Sequence, residues 1–116
     1  MALPLIKTAI PKRRYQFGEF DLVVLGEIES DDGISYHFLL GIIPAGASAP
    51  ELFISAEPVG QQPGEPYQMR IIAEQVNQIL DQRSDRWRDL DAFVTDALAL
   101  ASQLLNLADE EPRRLL

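Results

Sequence analysis

The sequence predicts an α+β domain, an antiparallel β-meander of three to five strands followed by two C-terminal α-helices packed on one face of the sheet. Three observations lead there: period-two apolar alternation through residues 20–42, a Gly/Pro-rich break at GQQPGEP (Gly60–Pro66), and apolar residues at helical spacing beyond it. At 116 residues the chain is long enough for one domain with its own core. The expected layout is a single domain over 1–116: mainly strands over 1–59, a loop over 60–65, two helices over 66–108 and a frayed tail over 109–116.

The central element is a hairpin read from Gly18 to Ile43. Phe20, Leu22, Val24 and Ile28 alternate with Glu19, Asp21, Glu27 and Glu29, and Ile34, Tyr36, Phe38, Leu40 and Ile42 repeat the even pattern. A two-residue Asp32-Gly33 loop would set even residues opposite odd ones and split the apolar set across both faces. A three-residue loop, Asp31-Asp32-Gly33, keeps even opposite even, with Gly33 left-handed in a bulged turn. That register pairs Val24 with Leu40, Phe38 with Gly26, Leu25 with Leu39, Ile28 with Tyr36 and Glu27 with His37.

Upstream, Pro4 and Pro11 confine residues 3–10 to an edge strand. The change from odd apolar positions (Tyr15, Phe17) to even ones at Gly18 implies a bulge or a break between two strands. Downstream, Leu52, Ile54 and Ala56 form a strand ending near Pro58, with Phe53 on its other side. Met69, Ile72, Val76 and Ile79 then recur as on a helix starting at Pro66 and running to about Gln82. A second helix, capped by Ser84 or Asp85, extends to about Ala108, roughly 36 Å at 1.5 Å per residue. It carries two apolar seams, one of them heptad-like through Leu90, Phe93, Ala97, Leu100, Leu104 and Leu107.

The odd face of the hairpin gathers Val23, Leu25, Leu39 and Ile43, joined by Phe53, a patch too apolar for a wet sheet face. The expectation is a homodimer burying that patch, with Leu100 and its seam as the alternative interface.

Charge is unevenly placed within the net −8. Residues 1–18 hold Lys7, Lys12, Arg13 and Arg14 and no acid, whereas residues 19–66 hold nine acids and no Lys or Arg. Such a surface argues against nucleic acid and suits a basic protein partner. Lys12, Arg13 and Arg14 beside Tyr15 and Phe17 read as charges protecting an edge strand. The start of the chain lacks a secretory apolar core, and no run reaches the roughly 18 apolar residues of a membrane span. The expectation is a cytoplasmic protein that does not engage membranes.

Cysteine is absent, which excludes disulfides and thiolate chemistry. His37 next to Glu27 has the pairing of a carboxylate-oriented base, but no nucleophile accompanies it, and an ordinary cross-strand charge pair is the preferred account. Glu27, Glu29, Asp31 and Asp32 do not follow calcium-loop spacing, and turn chemistry accounts for the two aspartates. The loop serine Ser48 lies outside any nucleophile elbow, and the glycines form no phosphate-binding pattern. No cofactor and no metal are expected. The functional expectation is a non-catalytic protein-interaction module, adaptor or chaperone-like. The alternative is a small-molecule binder or enzyme with a pocket between sheet and helices, using Glu27, Tyr36, His37 and Tyr67.

Overall fold

The structure, a computed structural model, describes residues 3–61 and 66–115. Seven strands form one antiparallel sheet: β1 (Ile6–Phe17), β2 (Phe20–Ser30), β3 (Phe38–Ile43), β4 (Leu52–Pro58), β5 (Tyr67–Ala73), β6 (Val76–Ser84) and β7 (Arg113–Arg114). Their spatial order is β6-β5-β4-β3-β2-β1-β7, a six-strand meander with β7 added beside β1. Among the described residues there is a single α-helix, α1 (Leu90–Leu104), which follows a short 3-10 turn at Asp85–Arg88. The expected fold of three to five strands and two helices is therefore corrected to seven strands and one helix.

The correction lies in residues 66–84. The segment assigned to a first helix is the β5–β6 hairpin, in which Ala73 pairs with Val76 across Glu74 and Gln75. Two physical facts outweigh the helical spacing. Ile71, Ile72, Val76 and Ile79 are β-branched and suit a pleated surface. In addition β4, buried on both faces from Phe53 to Glu57, needs a ladder partner on its second side. The turn contains no Gly, Pro, Asn or Asp, so no local signal announced it. Val76 and Ile79, placed on a buried helical stripe by the sequence, are 42% and 41% exposed. The break that preceded this segment falls on 62–65, outside the described residues.

The β2–β3 pairing follows the three-residue-loop register: Val24 opposes Leu40, Leu25 opposes Leu39 and Gly26 opposes Phe38. The ladder stops there. Glu27 has a positive φ of 49°, and next to it the β1–β2 register shifts. Beyond that bulge the side chains exchange faces. Ile28 packs against Tyr36, Leu39, Phe53 and Ile72 instead of joining Val24 and Leu40. Glu27 and His37 are not cross-strand partners, because β3 begins only at Phe38.

The parity change near Gly18 is a hairpin. Phe17 opposes Phe20 across Gly18 and Glu19, so odd residues of β1 share a face with even residues of β2. Gly18 has a φ of 60°, a left-handed conformation that favours glycine at this turn.

One face of the sheet carries the main core: Tyr15, Phe17, Leu22, Val24, Phe38, Leu40, Ile42, Ile54, Ala56 and Met69. The helix covers it with Phe93, Val94, Ala97 and Ala101, and Phe93 stacks on Phe38 at 5.5 Å. These four residues draw on both expected seams, so α1 buries one composite stripe. Asp89 caps its start by accepting from the Ala92 N–H at 3.0 Å. The helix stops at Leu104 and not Ala108. Asn106 adopts φ 58°, and the Leu107 N–H bonds back to the Ser102 carbonyl, a left-handed termination that satisfies the last carbonyls. The tail expected to fray adds β7 to β1, with the Leu115 N–H on the Arg14 carbonyl at 2.8 Å.

The opposite face holds a smaller core of Tyr36, Leu39, Phe53 and Ile72, against which Leu3, Ile6, Leu25, Ile28 and Ile34 pack. Asp32 ties this cover down. Its carboxylate accepts from the backbone N–H groups of Leu5 (3.2 Å) and Ile34 (3.1 Å) and from the Tyr36 hydroxyl (2.8 Å). Partial burial pushes the Asp32 carboxyl up, but these three donors outweigh it and hold the group below the ordinary aspartate value. A lowered folded-state value contributes stability above the unfolded value, and that contribution disappears as pH falls through the folded value. Acid titration followed by thermal unfolding should therefore show a steeper loss of stability below about pH 4 in the natural protein than in Asp32→Asn. Equal slopes would mean that Asp32 is not a clamp.

Candidate functional site

The residues expected to line one pocket do not converge. Glu27 is exposed and bonds to Lys12 Nζ at 2.6 Å. Tyr36 belongs to the smaller core, where burial pushes its phenol up and the bond to Asp32 adds to the shift. His37 and Tyr67 do meet, ring edge to ring face at 4.9 Å. His37 Nε2 donates to the Arg88 carbonyl at 2.8 Å, and the Arg88 guanidinium lies over the Tyr67 ring. This set ties the 3-10 turn to the sheet, and no nucleophile stands beside it.

The expected interface residues are also distributed. Leu39 and Phe53 are 0% and 5% exposed within a single chain, so their apolar surface is covered by the chain's own Leu3, Ile6, Ile34 and Tyr36. Val23, Leu25 and Ile43 are half-buried, and Leu100 packs on the edge of the main core.

Two other features stand out. The first is a buried carboxylate. Glu57, 0% exposed, accepts from Arg70 Nη2 at 2.7 Å, Ser55 Oγ at 2.8 Å and Gln68 Nε2 at 3.1 Å. Arg70 Nη1 continues to Asn77 on β6 at 2.7 Å. Among the described residues no buried side-chain polar atom is left unsatisfied, so this network has no vacant donor for a ligand.

The second is a groove of about 490 Å³ on the helix side of the β5–β6 edge, lined by Met69, Leu80, Gln82, Trp87, Asp96, Ala99, Leu100 and Gln103. It exists because α1 stops short of covering β6. Its polar group is fixed in place: Asp96 accepts from Trp87 Nε1 at 2.7 Å and from Arg86 Nε and Nη2 at 3.0 and 3.2 Å. Sequence reasoning missed this site. Met69 and Leu80 had been placed on a helix, and nothing in the spacing of Trp87 and Asp96 announced their bond.

Beside the groove runs the free edge of β6. In its second half Arg83 Nη1 occupies the backbone carbonyls of Leu80 (2.7 Å) and Gln82 (3.1 Å) at a register shift. The first half, Val76–Ile79, has no proline or Lys/Arg to guard it. At the other end of the sheet β1 is irregular at three register shifts, contains Pro11 and is partly covered by β7.

No protein-family model, curated protein or solved structure matches this chain. Among the described residues no three His, Cys, Asp or Glu side chains group as a metal site, and no helix is long and apolar enough to cross a membrane.

Removing the Glu57 carboxylate takes from the part-buried Arg70 guanidinium its carboxylate partner and leaves it the bond to Asn77. Urea unfolding of Glu57→Ala should show a loss of roughly 3–5 kcal/mol, whereas the double variant Glu57→Leu/Arg70→Met should recover most of it. A loss below about 1 kcal/mol in Glu57→Ala would remove the pair from the list of fold determinants.

Proposed function

We propose that the chain is a non-catalytic protein-interaction module that takes an extended, basic segment of a partner protein as an added strand on β6. The carrying observation is the contrast between the sheet's two edges. A strand edge offers a row of backbone donors and acceptors to any extended chain, and monomers usually blunt it. Here β1 is interrupted by Pro11 and three register shifts, carries Lys7, Lys12, Arg13 and Arg14 and is paired with β7 at Tyr15 and Gln16, while on β6 Val76 and Ile79 present apolar side chains at the surface with no Lys, Arg or proline between them.

Charge complementarity supports the basic character of the partner. Glu74 and Asp81 flank the open segment and are exposed. The nearest cations are engaged, Arg70 with Glu57 and Asn77, and Arg83 with its own strand's carbonyls. A segment alternating apolar residues with Lys or Arg would place its backbone on β6 and its charges near these two acids. This reading replaces the odd-face dimer as the preferred assembly, since the chain already covers Leu39 and Phe53.

A ten-residue peptide alternating lysine with valine is the direct probe, read by amide hydrogen exchange. Slowed exchange confined to residues 76–79, lost in Val76→Lys/Ile79→Lys and absent with a glutamate–valine peptide, is the expected result. Protection on β1 instead, or equal binding to the double variant, would sink the reading. So would a stable dimer in native mass spectrometry that Leu25→Asp splits.

A further inference from the structure

We propose that the groove between β6 and α1 is a binding site for a small amphipathic molecule whose polar end carries an N–H or O–H donor, with Asp96 as its anchor. This inference does not rest on strand addition at β6, since neither Val76 nor Ile79 lines the groove.

Size comes first. About 490 Å³ falls within the range of small-molecule sites. The lining is mixed, with apolar and polar surface in about equal parts. Met69, Leu80, Trp87, Ala99 and Leu100 provide apolar walls from the sheet, the 3-10 turn and the helix, and Gln82 and Gln103 add side-chain amides. Both walls are anchored independently of any ligand, one by the β5–β6 ladder and the other by the packing of Phe93 and Ala97.

The polar anchor determines the ligand class. Asp96 is an acceptor held by three donors, two from Arg86 and one from the Trp87 indole. A carboxylate has about four lone-pair sites, so one remains for a ligand donor, at no further cost in ordering. Asp96 offers an acceptor and no donor to a head group, and although Arg86 pairs with it, the field of a chain carrying −8 disfavours an anion. The class is a neutral or cationic amphiphile with a short apolar body.

The chain's one tryptophan lies in the groove wall and reports on its contents. Octylamine, 1-octanol and octanoate, titrated below their aggregation limits, share one apolar body and differ in the head. Octylamine and 1-octanol are expected to give a saturable change in Trp87 emission, and octanoate none. Ala99→Phe, an exposed helix position filled from the groove side, should abolish the change while circular dichroism and thermal unfolding stay as in the natural protein. Asp96→Asn should weaken octylamine by roughly five- to tenfold, the weight of a charge-assisted bond, and 1-octanol by less. Val76→Lys/Ile79→Lys should leave the response untouched. The proposal is overturned if octanoate binds as well as octylamine, if Ala99→Phe retains the response, or if saturating amphiphile leaves Trp87 unchanged.

Discussion

The fold depends on a carboxylate that has left water. Glu57 sits at the end of β4 with no exposed surface, and an ionised group in that position is tolerated only with charge and hydrogen bonds supplied around it. Arg70 and Gln68 supply them from β5, Ser55 from the same strand, and Asn77 on β6 holds the far side of the arginine. The network thus fixes the order and register of three strands. It also explains why residues 67–84 are extended. On a helix, Gln68 and Arg70 would point some 200° apart, and could not both face one carboxylate.

The two faces of the sheet are closed by different means. On the main face a helix of modest length lays small residues against large ones, Ala97 and Ala101 permitting approach and Phe93 filling the space over Phe38. On the other face a loop and the first strand's approach are folded down by Asp32, whose acceptors collect donors from three places in the chain. A patch that looks self-complementary in one dimension is therefore an ordinary second core in three. Neither device reaches β6, where Val76 and Ile79 stay exposed.

Much of the meander was legible. Alternation and the Asp-Asp-Gly turn specified the β2–β3 register, and Leu52, Ile54 and Ala56 marked β4. What could not be read was whatever a neighbour decides. Met69, Ile72, Val76 and Ile79 fit a helix as well as a hairpin when taken alone, and only the demand of β4 for a partner chooses between them. Ile28 changed face because Glu27 takes a left-handed conformation, an event without a sequence signature at a glutamate. The groove exists only with residues 67–84 as a hairpin, since Met69 lies on β5 and Leu80 and Gln82 on β6. The pocket residues expected from the hairpin are split between two faces.

Arg83 gives the free edge a further property. By holding the carbonyls of Leu80 and Gln82 it limits the proposed docking segment to Val76–Ile79, while β1 at the far side of the sheet is interrupted by Pro11 and its register shifts. Filament growth needs two complementary open edges on every subunit, so that each addition creates the next acceptor. This molecule has one short open edge and one blunted one. Strand addition at β6, as proposed above, would therefore stop at a finite assembly.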